Sequence, residues 1–214
     1  MLSIVQAAAT LPAPPTWSAL ATLLPSAASQ ARPVHIDSVL DRTTPSFSST
    51  VPTLFRERHG WCPYSERVWL ALEPKGIAYD TVAIDNTGGG RAAYFGGSTP
   101  QMRWTSGKTQ GESMDLVQEL DAVYPGTPLW PPDGISTSDV SAMLSEWKKT
   151  MPSARPSSRA AYLFDNGGDA LPRPAFERAL DRTDELLSQH AGGPFFCGHA
   201  VSAADVAWAP FLER

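Results

Sequence analysis

The stretch Trp61-Cys62-Pro63-Tyr64-Ser65-Glu66-Arg67-Val68 puts a cysteine immediately before a segment with helical character. Helical spacing begins at about Ser65 and runs over residues 65–72, with Val68, Ala71 and Leu72 in step. Pro63 suits a helix start, where its missing N–H has no role. Pro74 and Gly76 close the segment. Unpaired N–H groups and the positive end of the helix dipole converge at such a start. Thiols placed there ionise more readily than free ones, and the thiolate is the nucleophile. Cysteine is also commonly buried and inert. These eight residues alone leave both readings open.

The flanking sequence supplies the frame. Pro52-Thr53-Leu54-Phe55-Arg56 is a short extended run upstream. Residues 79–85 read as a strand, with Val82 and Ile84 on one face. Gly88-Gly89-Gly90 marks a turn; with no GxGxxG or Walker lysine around it, it is not a phosphate loop. Ser98-Thr99-Pro100-Gln101-Met102-Arg103-Trp104 alternates enough for a strand with a proline at its mouth. Thr105-Ser106-Gly107-Lys108 reads as a hairpin turn. Gly111-Glu112-Ser113 then leads into a helix carrying Met114, Leu116, Val117 and Leu120. The order is β-α-β followed by β-β-α.

Three pieces occur in order at characteristic separations: Cys62-Pro63-Tyr64-Ser65-Glu66-Arg67-Val68, Thr99-Pro100 and Glu112-Ser113. With them, residues from about 52 to 125 resemble the N-terminal domain of a glutathione transferase, closest to the cysteine type of the omega, lambda and dehydroascorbate-reductase groups. The resemblance implies a thioredoxin-like α/β domain with a mixed four-stranded sheet, followed by an all-α domain. It implies glutathione as co-substrate, Cys62 as the catalytic residue, and glutathione contacts from Pro63, Tyr64, Ser65, Thr99, Pro100, Glu112 and Ser113. In that family the bond before the middle proline is cis, which would turn the Thr99 N–H and C=O toward the cysteinyl part of the ligand. The alternative is an ordinary trans proline at the start of an edge strand. The Ser113 hydroxyl and neighbouring N–H groups would hold the γ-glutamyl carboxylate, since anions bind at helix starts. Glu112 would take the γ-glutamyl ammonium. The same pair also reads as a plain helix cap, and the two roles can coexist.

Two departures from the family pattern matter. Many relatives carry Cys-Pro-x-Cys, whereas this chain has Ser65 at the last position. A local dithiol cycle is therefore excluded, and a monothiol exchange cycle with glutathione remains. Ser65 is then a candidate hydrogen-bond donor to the Cys62 thiolate. The other departure is Gly88-Gly89-Gly90-Arg91, where relatives often carry a lysine that helps hold the glycyl end and Arg91 would have to substitute.

The second half reads as helical. We place an N-terminal extension at 1–50, the glutathione-binding domain at 51–125, a linker at 126–134 and a helical domain at 135–214. Val140, Met143, Leu144 and Trp147 fall at i, i+3, i+4 and i+7, and Phe176, Ala179, Leu180, Thr183 and Leu187 repeat the pattern. Asp165-Asn166-Gly167-Gly168-Asp169 is a tight turn and lacks the acidic ligands of a calcium loop. Ser202 to Asp205 is a capping box with Asp for Glu, and Val201 and Val206 sit at the staple positions. The same device marks a central helix of glutathione transferases and is structural. Cys197 reads as a packed core thiol. His199 has no second histidine nearby and reads as a loop residue, so no metal is implied. The sequence ends at Arg214, where relatives continue with further helices, so the helical domain reads as truncated. Trp208 and Phe211 would then lie partly uncovered.

Composition narrows the function classes. The chain has 214 residues, 42% hydrophobic, enough for two modest domains. A net charge of −5 and a pI near 5.3 argue against nucleic acid. No apolar run is long enough to span a membrane. Two cysteines give no disulfide framework and suit a reducing compartment. Residues 1–50 are rich in Ala, Ser, Thr and Pro, and no acidic residue precedes Asp37. That composition is transit-like and points to a chloroplast, with a disordered cytoplasmic extension as the alternative. The resulting expectation is a thiol transferase or dehydroascorbate reductase acting on a small oxidised or electrophilic substrate. A non-enzymatic glutathione-transferase-like binding or assembly module is the alternative from a different class. A conjugating transferase working through a Tyr64 or Ser65 hydroxyl is a third option. Homodimerisation stays open.

Overall fold

The computed structural model describes residues 34–86, 92–132, 134–150, 173–189 and 193–212. The readings made for residues 1–33, for Gly88-Gly89-Gly90-Arg91 and for the turn at 165–169 lie outside the described residues.

The α/β part runs β1 (His35–Asp37), β2 (Thr53–Glu57), α1 (Pro63–Lys75), β3 (Asp80–Ile84), β4 (Gln101–Arg103), β5 (Thr109–Gln110) and α2 (Ser113–Val123). The strands form one sheet in the order β1-β3-β2-β4-β5. β3 lies parallel to both β1 and β2, whereas β4 is antiparallel to β2 and to β5. The mixed thioredoxin-like sheet is the expected one, but it has five strands and not four. The extra strand comes from the stretch read as an N-terminal extension. His35, Ile36 and Asp37 stand opposite Thr81, Val82 and Ala83. Three residues are too few to show an alternating pattern, so β1 is defined by the free edge of β3. Two side chains pin it: Val34 N–H donates to Asp80 Oδ1 at 3.0 Å, and Arg58 Nε donates to Asp37 Oδ2 at 2.7 Å.

Successive side chains of a strand point to opposite faces, and β2 uses both. Leu54 packs with Val68, Leu72, Met102, Leu116 and Leu120, the side covered by α1 and α2. Phe55 packs with Val82, Ile84, Ala92 and Phe95 on the other side. The two apolar residues of this run are thus buried on opposite faces of the sheet.

The helical part contains α3 (Thr137–Thr150), α4 (Arg173–Ser188) and α5 (Ala203–Leu212). The Asp205 half of the capping box forms as read, with Asp205 Oδ2 accepting from Ser202 N–H at 2.8 Å and from Ser202 Oγ at 2.7 Å, while Ser202 Oγ accepts from Ala204 N–H at 3.2 Å. Asp205 Oδ1 also accepts from Phe196 N–H at 2.9 Å, which ties the preceding loop to the helix. α5 is apolar nearly all round and sits between other elements. Trp208, expected to be partly uncovered, is fully buried. Its indole N–H donates to Thr183 Oγ1 at 3.1 Å, and its ring lies 4.6 Å from that of Phe196. α4 and the 195–198 turn supply the cover. Phe211 is half-buried, and Leu180, read as part of the apolar repeat, is exposed. The side chain of Phe176 lies outside the described residues. Within the linker, Leu129 is fully buried and its carbonyl accepts from Ala203 N–H at 2.9 Å, so the connection is fastened to the start of α5.

Candidate active site

The first turn of α1 is built on Cys62, the N-cap, with extended backbone and Pro63 as the first helical residue. The Cys62 thiol donates to the Thr99 carbonyl oxygen, at a sulfur–oxygen distance of 3.8 Å. Cys62 and Thr99 are both buried, while Trp61 beside them is exposed. The Thr99–Pro100 bond is cis, as the resemblance implies. Asn86 Nδ2 donates to Thr99 Oγ1 at 2.6 Å and so ties the segment to the chain leaving β3.

Ser65 does not pair with Cys62. Its Oγ accepts from the Glu57 backbone N–H at 3.3 Å, and the residue is buried. Helical side chains lean toward the N-terminus of their helix, which aims Ser65 at the end of β2. The neighbouring Glu57 carboxylate was not foreseen. It accepts from His59 N–H at 2.9 Å, His59 Nδ1 at 3.0 Å and Trp61 N–H at 2.7 Å. The loop leading into Cys62 is thus wound around one buried carboxylate. The only hint in the sequence is an acidic residue two places after the apolar pair Leu54-Phe55.

Ser113 opens α2 and is buried. Glu112 before it has φ 64° and ψ 104°, a left-handed φ that non-glycine residues rarely adopt. Its side chain is exposed and forms no cap hydrogen bond. Glu112 is the N-cap of α2 by position, and its carboxylate is not spent on the helix.

Arg67 also escaped the sequence reading. Its guanidinium is buried, with Nη1 donating to Ser113 Oγ at 3.3 Å and Nε donating to the Ala207 carbonyl at 3.1 Å. It lies 4.3 Å from the ring centroid of Trp147, 4.9 Å from that of Phe211 and 5.2 Å from that of Tyr64. Burial is the largest influence on it and pulls its pKa down to about 10, while Tyr64 and Cys62 act in the opposite direction. The group therefore carries its charge at neutral pH. Through Arg67 the structure brings Tyr64, Ser113 and the helical part together around the first turns of α1. Tyr64 is half-buried, its ring edge-on to Phe211 at 5.5 Å.

Cys197 is a core thiol, 1% exposed. Burial pushes its pKa up, Asp205 and Asp139 add to the rise, and a hydrogen bond with Ser202 opposes it. Among the described residues no group of three or more His, Cys, Asp or Glu is placed to hold a metal ion, and no helix is long and apolar enough to cross a membrane.

Comparison with known proteins bears on this arrangement. The glutathione S-transferase N-terminal domain family matches residues 61–123. Glutathione S-transferase L2, chloroplastic, of Arabidopsis thaliana is 31% identical over 161 residues, covering 72% of this chain and 50% of that protein. Protein IN2-1 homolog B of Oryza sativa subsp. indica is also 31% identical, over 72% of this chain and 61% of its own length. The chain thus spans about half to three-fifths of these relatives. Among solved structures, glutathione transferase Omega 2C from Trametes versicolor superposes with a TM-score of 0.60 at 21% identity, covering 76% of this chain and 71% of that one. That likeness concerns the fold.

Proposed function

Since the chain belongs to the glutathione transferase superfamily, we propose that it is a glutathione-dependent thiol transferase or dehydroascorbate reductase working through Cys62 alone. One observation carries the reading. Cys62 stands at the start of α1 with its sulfur against the Thr99 carbonyl, while the other cysteine is sealed in the core. A scaffold has no need for a thiol at that position.

Glutathione lies with its cysteinyl part along Thr99, between Cys62 and the cis proline. Its γ-glutamyl carboxylate meets Ser113 at the start of α2, and its ammonium meets Glu112. Pro63, Tyr64 and Ser65 shape the first turn of α1 beneath it. In the first step the Cys62 thiolate attacks the glutathione sulfur of a glutathionylated substrate. A Cys62–glutathione disulfide forms, and the substrate sulfur leaves as a thiolate that takes up a proton. A second glutathione thiolate then attacks this mixed disulfide, oxidised glutathione departs and the Cys62 thiolate returns. With dehydroascorbate as oxidant, two glutathiones supply the two electrons and two protons that convert it to ascorbate, and oxidised glutathione is again the product. Residues 1–50 direct the chain to the chloroplast; fusing them to a fluorescent protein tests that assignment.

The deciding experiment is intact mass after treatment with oxidised glutathione, on the wild type and on Cys62→Ser. One glutathione adduct on the wild type, absent from the variant and removed by reduced glutathione, is the expected result. A folded wild type that takes no adduct overturns the assignment. Assays with dehydroascorbate and with a glutathionylated peptide then separate the two activities.

A further inference from the structure

Arg67 sits within the proposed site, yet nothing in the exchange cycle uses it. A buried guanidinium ordinarily meets a carboxylate, because an uncompensated buried charge is costly. Among the described residues, the groups that act on its charge are Tyr64 and Cys62, with no carboxylate among them. Three aromatic faces hold it, which offsets part of that cost. Two of its nitrogens are bonded, but Nη2 is buried with no partner among the described residues. Trp147, whose ring stacks over the guanidinium, has a buried indole N–H that is also unpartnered among the described residues. The cluster has surplus donors and surplus positive charge.

The bond to Ser113 fixes the direction in which that surplus acts. A serine hydroxyl has one hydrogen to donate and two lone pairs to accept with. Because Arg67 Nη1 occupies a lone pair of Ser113 Oγ, the hydroxyl hydrogen is left for an acceptor on the other side. A charged donor also polarises that hydroxyl and strengthens what it donates. An anion docking against Ser113 would neutralise the cluster's charge.

We infer that Arg67 is a positioning residue for glutathione: it holds the Ser113 hydroxyl as an outward donor to the γ-glutamyl carboxylate and fastens that donor, through the Ala207 carbonyl, to α5. The inference rests on the proposed role of Ser113 in binding glutathione. It implies that affinity for the peptide's carboxylate end depends on contact between the α/β part and the helical part.

Calorimetric titration of reduced glutathione into the wild type, Ser113→Ala, Arg67→Lys and the double variant tests it. Each single change is expected to weaken binding about 10-fold or more, the range for a hydrogen bond to a charged group. The double variant is expected to bind no worse than the weaker single one, because both remove the same interaction. Additive losses, or full affinity in Arg67→Lys, overturn the inference and leave the role of Ser113 standing. Unchanged affinity in Ser113→Ala overturns that role itself. If Arg67→Lys does not fold, the wild type still decides. The slowly exchanging Nε–H resonance of the buried arginine is expected to shift with glutathione and to stay fixed with cysteinylglycine, which lacks the γ-glutamyl group. No shift with glutathione, or equal shifts with both, overturns the inference.

Discussion

The Cys62 sulfur and the Thr99 carbonyl oxygen stand 3.8 Å apart although 37 positions separate the residues in the chain. The helix start and the cis-proline segment therefore share one small volume, and the thiol is held in the site before any ligand arrives. Cys62→Ser keeps a hydroxyl donor of similar shape in that place. We expect it to abolish glutathione exchange while the thermal midpoint stays near that of the wild type. A coupled assay and a melting curve check both halves.

Ser65 supports the chain that leads into the site. Removing its hydroxyl leaves the Glu57 N–H, buried at the end of β2, without its acceptor. Ser65→Ala is expected to cost about 1–3 kcal/mol, the range for an orphaned buried donor. Urea denaturation measures it, and an unchanged midpoint would show that the N–H finds another partner.

Cys197 makes stability depend on pH on the alkaline side. Burial raises its pKa above the ordinary 9.0, Asp205 and Asp139 add to this, and the Ser202 hydrogen bond works against it. The folded state therefore keeps the thiol proton after the unfolded chain has released it. The stabilisation is complete below about 9 and is lost as the pH climbs from there through the raised folded value. Stability of the wild type should fall over that window, and Cys197→Ala should flatten the slope. The slope is the readout, since the substitution also opens a small cavity.

Asp205 serves two purposes at once. One oxygen caps α5 through Ser202, and the other holds the Phe196 N–H. Asp205→Ala should cost about 2–4 kcal/mol, the sum of a lost cap and an orphaned donor. Asp205→Asn keeps one acceptor and should cost less. Equal losses in the two variants would show that charge, and not hydrogen bonding, is what matters there.

Lys75 closes α1. Its Nζ lies 2.8 Å from Asp121 Oδ1 with only 1% of the side chain exposed. The Asp121 carboxylate also accepts from Leu129 N–H and Trp130 N–H, both at 2.8 Å. Lys75→Met leaves that carboxylate without its counter-charge and should cost about 3–5 kcal/mol, as for other broken buried pairs. Chemical denaturation gives the value, and a cost under about 1 kcal/mol would class the pair with exposed ones.

Much of the frame is local and so was legible in the chain. Pro63 after Cys62, Gly76 past the end of α1 and the box from Ser202 to Asp205 act within a few residues of themselves. Their meaning survives without knowing the rest of the structure. The same holds for Val68, Ala71 and Leu72, whose spacing alone assigns them to one buried face.

What the sequence determined by itself is therefore the cysteine at a helix start, the order of the elements around it and the family it resembles. Only the tertiary structure decided that His35–Asp37 is a fifth strand, that Ser65 serves Glu57, that Trp208 is covered and that Arg67 is buried among Tyr64, Trp147 and Phe211. The physical reason is the same in each case. A short edge strand exists because its neighbour offers unpaired backbone groups. A polar side chain's role, likewise, is set by partners that the chain brings from far along its length. Neither leaves a periodic trace in the sequence.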